Sequence, residues 1–179
     1  MDDRLIQLKN GKSLSIREAE IADAESLIAY AEKVSGETEY LTFGPGEFVL
    51  SPDEEKEFIR ISRATNNRLF IVGLIDHDIV SMLNFTAGKR PRTQHSGEFS
   101  MSVIRSCWGQ RIGGAMVDTL LAWAGSNGII RKINLCVRTD NQRAIRLYEA
   151  KKFIIEGTQK NELYVNGRYY DVYRMGRAI

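Results

Sequence analysis

At 179 residues the chain is long enough for one domain over residues 1–179 with a full apolar core, without disulfides or a structural metal. Hydrophobic residues at 43 % and charged residues at 27 % are ordinary globular proportions, and a net charge of +2 argues against a nucleic-acid binder that relies on a broad basic surface. No apolar run reaches membrane-spanning length, the acidic, polar start MDDRLIQLKN is no signal peptide, and Cys107 and Cys136 form no metal or redox pattern, so a reducing cytoplasm is the expected setting.

Residues 13–20 (SLSIREAE) alternate as a short strand does, and 23–33 (DAESLIAYAEK) reads as a helix with Leu27, Ile28 and Ala31 on one face. A long connection, VSGETEYLTFGPGEFVL, leads to Ser51-Pro52-Asp53-Glu54, a capping box with proline at the first helical position, which starts a second helix running to Ala64. The apolar run 69–75 (LFIVGLI) is a buried strand, residues 76–78 a tight turn and 79–86 its hairpin partner. A basic loop (GKRPRTQHS) precedes a strand at 97–104, and a third helix covers 112–126 with Met116, Val117, Leu120, Leu121 and Ala124 at helical spacing. A strand at 131–137, a helix at 141–150 and strands at 153–159 and 168–176 complete the chain. The fold class is α/β, a mixed and largely antiparallel sheet flanked by about four helices, without the strict βαβα alternation of a dinucleotide fold.

Residues 103–116 (VIRSCWGQRIGGAM) end a strand, pass through a Gly-rich turn and begin an apolar-striped helix. Backbone amides at such a turn, with the positive helix end behind them, suit a pyrophosphate, and glycines let the backbone come close to it. Alone, this stretch reads equally well as a plain strand-turn-helix. Residues 135–148 (LCVRTDNQRAIRLY) add a second pattern, with Lys152-Phe153 after it.

Together the two stretches resemble the GNAT superfamily of N-acetyltransferases, over essentially the whole chain and most closely over 97–157. The family's cofactor motif is Gln/Arg-x-x-Gly-x-Gly/Ala, and its later pattern is Asn-x-x-Ala-x-x-Leu-Tyr followed by Gly-Phe. Asn141, Ala144, Leu147 and Tyr148 match the later pattern at every stated position, while Lys152 stands where the family usually has glycine. The cofactor motif fits in two registers. One starts at Gln110 and matches letter by letter; the other starts at Trp108, matches less well and agrees better with the spacing from Val103 and onward to Gly128. The second is preferred, with Gly109, Gln110, Arg111, Ile112, Gly113 and Gly114 as the phosphate cradle.

The resemblance implies acetyl-CoA as co-substrate and a primary amine of a small molecule or peptide as acceptor, joined by direct attack, with no metal. It also implies that strand 97–104 splays from strand 131–137, so that pantetheine adds to the exposed edge near the backbone of Met101 and Val103. Asn141 would help order the cofactor arm. Tyr148 is the candidate general acid for the leaving thiolate, against the reading of a half-buried helix aromatic. On strand 97–104, Glu98, Ser100 and Ser102 share one face and Phe99, Met101 and Val103 the other. Glu98 is therefore a candidate base or amine binder, and equally a solvated strand charge. Cys107 as an acyl-carrying nucleophile is disfavoured, with no partner histidine near it in sequence. His77 belongs to a turn, His95 to a loop with at most a minor substrate contact, and Lys89 to Arg92 to a solvated loop. Glu37 and Glu39 fall in the connection that the resemblance makes part of the acceptor wall, although ordinary solvated loop charges are the preferred reading. The alternative function is a non-catalytic acyl-CoA-binding sensor on the same fold, and the aromatic tail GRYYDVYRMG suggests a homodimer.

Overall fold

A computed structural model describes residues 3–179; the first two residues of the MDDRLIQLKN start lie outside it. From Arg4 that start forms β1 (Arg4–Gln7), a short edge strand absent from the sequence reading. β2 (Ser13–Glu18) follows as its antiparallel partner, then α1 (Ala24–Ser35) and α2 (Pro52–Ala64). The expected capping box is present: the Ser51 hydroxyl accepts from the Glu54 N–H, and the Glu54 carboxylate accepts from the Ser51 N–H at 2.8 Å. The buried stripe of α1 is Leu27, Tyr30, Ala31 and Val34, turned from the expected face so that Ile28 is only half-buried.

β3 (Arg68–Ile75) and β4 (Asp78–Ala87) form the expected hairpin. Asp76 and His77 take φ of 52° and 72°, the left-handed pair that a two-residue turn needs to match strand twist. β5 (Ser96–Val103), α3 (Ile112–Asn127), β6 (Lys132–Arg138), α4 (Gln142–Ala150), β7 (Ile154–Val165) and β8 (Arg168–Ala178) complete the order. One eight-stranded sheet results, ordered β1-β2-β3-β4-β5-β6-β8-β7. Every neighbouring pair is antiparallel except β5 with β6. The expected α/β class with four helices is therefore observed.

The apolar run of β3 explains the layering. Because side chains alternate along a strand, Phe70 and Val72 pack with Leu27 of α1 and Ile59 of α2, while Leu69 and Ile71 join the larger cluster that holds Met116, Val117, Leu120 and Ala124 of α3. Helices on both faces leave β3 almost wholly buried, and Gly113 near the start of α3 lies against Met101 and Val103 at the far end of β5.

Candidate active site

β5 and β6 run parallel but pair only at Ser96↔Lys132, Gly97↔Ile133 and Glu98↔Asn134. Beyond that point β5 pairs only with β4 and β6 only with β8, so a crevice opens between them. Hydrogen bonds from Ile104 N–H to the Val80 carbonyl and from Gly88 N–H to the Ser96 carbonyl fix the phase of β5. By alternation, even-numbered residues bond β4, and the backbone groups of Phe99, Met101 and Val103 face the crevice. This is an unpaired strand edge inside the molecule, suited to an extended amide-bearing chain. The Val103 carbonyl is already taken by the Trp108 indole N–H at 2.7 Å, which leaves the N–H of Val103 and both groups of Met101 facing the gap.

At the crevice mouth a short 3-10 turn (Arg105–Cys107) leads into two left-handed residues, Gly109 at φ 83° and Arg111 at φ 66°, and α3 begins at Ile112. Arg111 is the fourth residue of the register that starts at Trp108, where the motif has glycine, and it takes the conformation that glycine suits. No acidic side chain occupies the first turn of α3, so its free N–H groups and positive end face an uncompensated mouth. The Arg105 and Arg143 guanidiniums lie 5.6 and 4.9 Å from the Trp108 ring, adding positive charge at the rim. Gly113 sits on the crevice wall: a Cβ there would lie 3.3 Å from both Leu147 Cδ2 and Met101 Cε. Gln110 leaves its buried carbonyl oxygen without a protein partner. Amides and dipole beside a narrow crevice fit a pyrophosphate followed by a slender pantetheine arm, whose amide N–H groups are donors of the kind that the Gln110 oxygen lacks.

Asn141 caps α4, its side-chain oxygen accepting from the Ala144 N–H at 3.2 Å. The cap sets α4 so that Tyr148 is 7 % exposed against Phe99 and Phe153, with ring centroids 5.8 and 6.1 Å away. Burial pushes its phenol up to about 12, so the group is a proton donor throughout the physiological range. After α4 the chain turns at Lys152, whose φ of 66° shows that the turn persists where the family usually has glycine.

The model of the acetyltransferase (GNAT) family matches residues 35–153. The chain belongs to that family. It is 34 % identical over 108 residues to an L-amino acid N-acetyltransferase, AaaT, of Escherichia coli (strain K12), across 60 % of this chain and 67 % of that protein. It is 27 % identical over 121 residues to a spermidine N(1)-acetyltransferase of Vibrio cholerae, across 68 % of this chain and 62 % of that one. The crystal structure of a GNAT-family acetyltransferase from Streptococcus pneumoniae superposes with a TM-score of 0.90 at 32 % identity, over 93 % of this chain and 99 % of the other. This GNAT protein is thus an N-acetyltransferase that draws its acetyl group from acetyl-CoA, and the sensor reading is not favoured.

On the opposite sheet face of this acetyltransferase, Glu98 occupies the last paired position before the crevice, half-exposed, with the Arg174 guanidinium 3.4 Å away. Ser100 donates to Asn84 at 3.0 Å, and Ser102 shares a 2.9 Å hydrogen bond with Tyr30, so the rest of that face is tied down and Glu98 is its carboxylate. Glu37 and Glu39 act as tethers. The Glu37 carboxylate accepts from the Arg105 N–H, and the Glu39 carboxylate from the Asn166 side chain at 2.7 Å. Both hold the α1–α2 connection against the sheet.

The sequence reading missed Arg138 and Arg174. Arg138 is 5 % exposed and stacks 3.6 Å from the Tyr170 ring centroid and 4.8 Å from that of Tyr40. It donates twice to Asp140 and once to the Glu39 carbonyl, joining β6, β8 and the connection. Only its position inside the matched stretch 135–148 hinted at it. His77 is exposed in its turn, and His95 lies beside Glu98 in a shared pocket. Burial and the neighbouring Glu98 push the Cys136 thiol up, which keeps it protonated. Cys107 lines a different cavity, of about 680 Å³, with Lys12, Tyr30 and His77 under α1. Cys107→Ala should therefore keep turnover within about twofold of the parent; a dead variant would point to an acyl-cysteine route.

Proposed function

We propose that this acetyltransferase moves the acetyl group to a primary amine of a small molecule or peptide by direct attack at the inner end of the β5–β6 crevice. The observation that carries the reading is the crevice itself, with the α3 cradle at its mouth, Tyr148 beside one wall and Glu98 at its vertex. In this reading the amides from Gly109 to Gly114 hold the pyrophosphate, with Gln110, Arg111 and Ile112 between them. The edge groups of Met101 and Val103 bond the pantetheine arm, and Asn141 orders that arm by fixing α4. Acetyl-CoA, when bound, supplies an activated acyl carbon and a good leaving group.

The residues divide the proton work. An alkylammonium has a pKa of about 10 and must lose a proton before it attacks. Glu98 attracts the cation and, being half-exposed, passes its proton to water. Tyr148 gives its proton to the departing sulfur. Relatives named for amino acids and for spermidine both act on amines, in keeping with this division.

We also read residues 1–179 as one catalytic domain, acting in the cytoplasm. The outer β7–β8 hairpin is read as the face for a second copy, since Ile154 and Tyr164 of the edge strand β7 and Tyr169 of β8 beside it are each well over half exposed. Among the described residues no helix is long and apolar enough to cross a membrane. The deciding experiment is a panel of amines scored for free thiol released from acetyl-CoA, with Glu98→Gln alongside. The variant should lose about tenfold or more in kcat/KM for a cationic acceptor. An unchanged kcat/KM, or an alcohol as best acceptor, would defeat the role given to Glu98.

A further inference from the structure

Glu98 does not stand alone at the vertex. It lines a pocket of about 360 Å³ together with Arg174, Arg92, His95, Asn134 and Thr86. Two arginines and one glutamate thus line it. Among the described residues Arg92 has no ion pair, and the one partner of Arg174 is Glu98, at the loose distance of 3.4 Å with both side chains about half exposed. Asn134 is 4 % exposed and gives its side-chain N–H groups to Ser96 and the Gly97 carbonyl, while its oxygen has no partner. The pocket therefore offers a carboxylate and an orphaned amide oxygen to a donor, and excess arginine charge to an anion, all along one open pocket.

We propose that the acceptor is a free α-amino acid, whose carboxylate is bound by Arg174 with Arg92 behind it while Glu98 holds the amine at the crevice. The inference rests on the amine-acetylation reading above and names the class of amine. The Glu98–Arg174 pair presents opposite charges side by side, and an α-amino acid presents the complementary pair separated by a single carbon. Docking one zwitterion against the other replaces a weak, solvent-screened ion pair with two charge-assisted contacts. A polyamine would bring a second cation toward Arg174 and Arg92, and a peptide amino terminus would bring a neutral amide where the pocket carries guanidinium; both are disfavoured by like charge or by an unpaired cation.

The test compares each amino acid with its own carboxamide, which keeps the side chain and the reacting amine and removes only the anion. Thiol release from acetyl-CoA is measured for both, and for spermidine, with the full chain and with Arg174→Gln and Arg174→Lys. The full chain should prefer the free acid by about tenfold or more in kcat/KM, mainly through KM. Arg174→Gln should collapse that ratio toward one, and Arg174→Lys should restore part of it. If Arg174 only positions Glu98, the variant will depress acid and carboxamide alike and the ratio will stand, which overturns the proposal. Carboxamides or spermidine turned over as well as free acids would overturn it too, with amine acetylation intact. Thiol release with none of the amines would instead sink the parent reading and this one together.

Discussion

Tyr148→Phe is expected to lower kcat by about a hundredfold, equivalent to about 2.7 kcal/mol of barrier, while leaving the Kd for acetyl-CoA unchanged. The ring is held by Phe99 and Phe153, and the hydroxyl bonds no other described residue, so the substitution removes a proton donor and little else. At first sight a phenol raised to about 12 is a poor acid for a thiolate whose ordinary pKa is about 8.5. The cause of the rise resolves this. Desolvation penalises any anion in that place, and sulfur departing beside Tyr148 feels the same penalty, so its proton affinity climbs as well and the gap closes. The sign of the shift also sets the pH profile. Tyr148 stays protonated from neutral pH up through 10, so its contribution to kcat/KM is lost only as pH rises toward 12. Stopped-flow or steady-state thiol release, with calorimetry for the cofactor, reads both quantities. Wild-type turnover in the variant would mean that water or another group protonates the sulfur.

Burial decides which elements were legible in the sequence. β3 and α3 are apolar on the faces that pack, and their periodicities gave their bounds to within a residue or so. β1 carries RLIQ at the sheet edge and is almost wholly exposed, so no alternation marks it. β7 extends to Val165, well past the expected end at 159, because its outer half is held by pairing to β8 across two register shifts and presents no buried face. The site divides in the same way. Tyr148 and Asn141 lie in a local pattern whose spacing follows one helix, which Asn141 caps and from which Tyr148 packs against Phe99 and Phe153. The contacts of Arg138 with Glu39, of Arg105 with Glu37 and of Arg174 with Glu98 join residues distant in the chain, and no local spacing encodes them. The consequence is largest for Glu37 and Glu39, whose carboxylates are committed to holding the connection in place. The pocket proposed for the acceptor draws its charge from strands β5 and β8 and from the β4–β5 loop.

Gly113→Glu is expected to weaken acetyl-CoA binding by about a thousandfold or more, beyond the range of calorimetry, without unfolding the protein. The position explains both halves of the result. Gly113 is the second residue of α3, where a carboxylate interacts favourably with the helix end, so the helix itself accepts the change. A Cβ there meets the far ends of Leu147 and Met101 at 3.3 Å each, both of which can give way, and reaches Val103 Cγ2 at an ordinary contact distance of 4.0 Å. The carboxylate carried by that Cβ then lies among the amides offered to the pyrophosphate and meets it as a like charge in a partly enclosed crevice. Two companions separate the causes. Gly113→Ala tests crowding alone and should retain most of the affinity, whereas Gly113→Gln has the bulk of glutamate without its charge and should fall between the two. Thermal unfolding of all three should stay within a few degrees of the parent, about the shift that 1 kcal/mol produces in a domain of this size. A folded Gly113→Glu protein with parental affinity would place the pyrophosphate away from the start of α3.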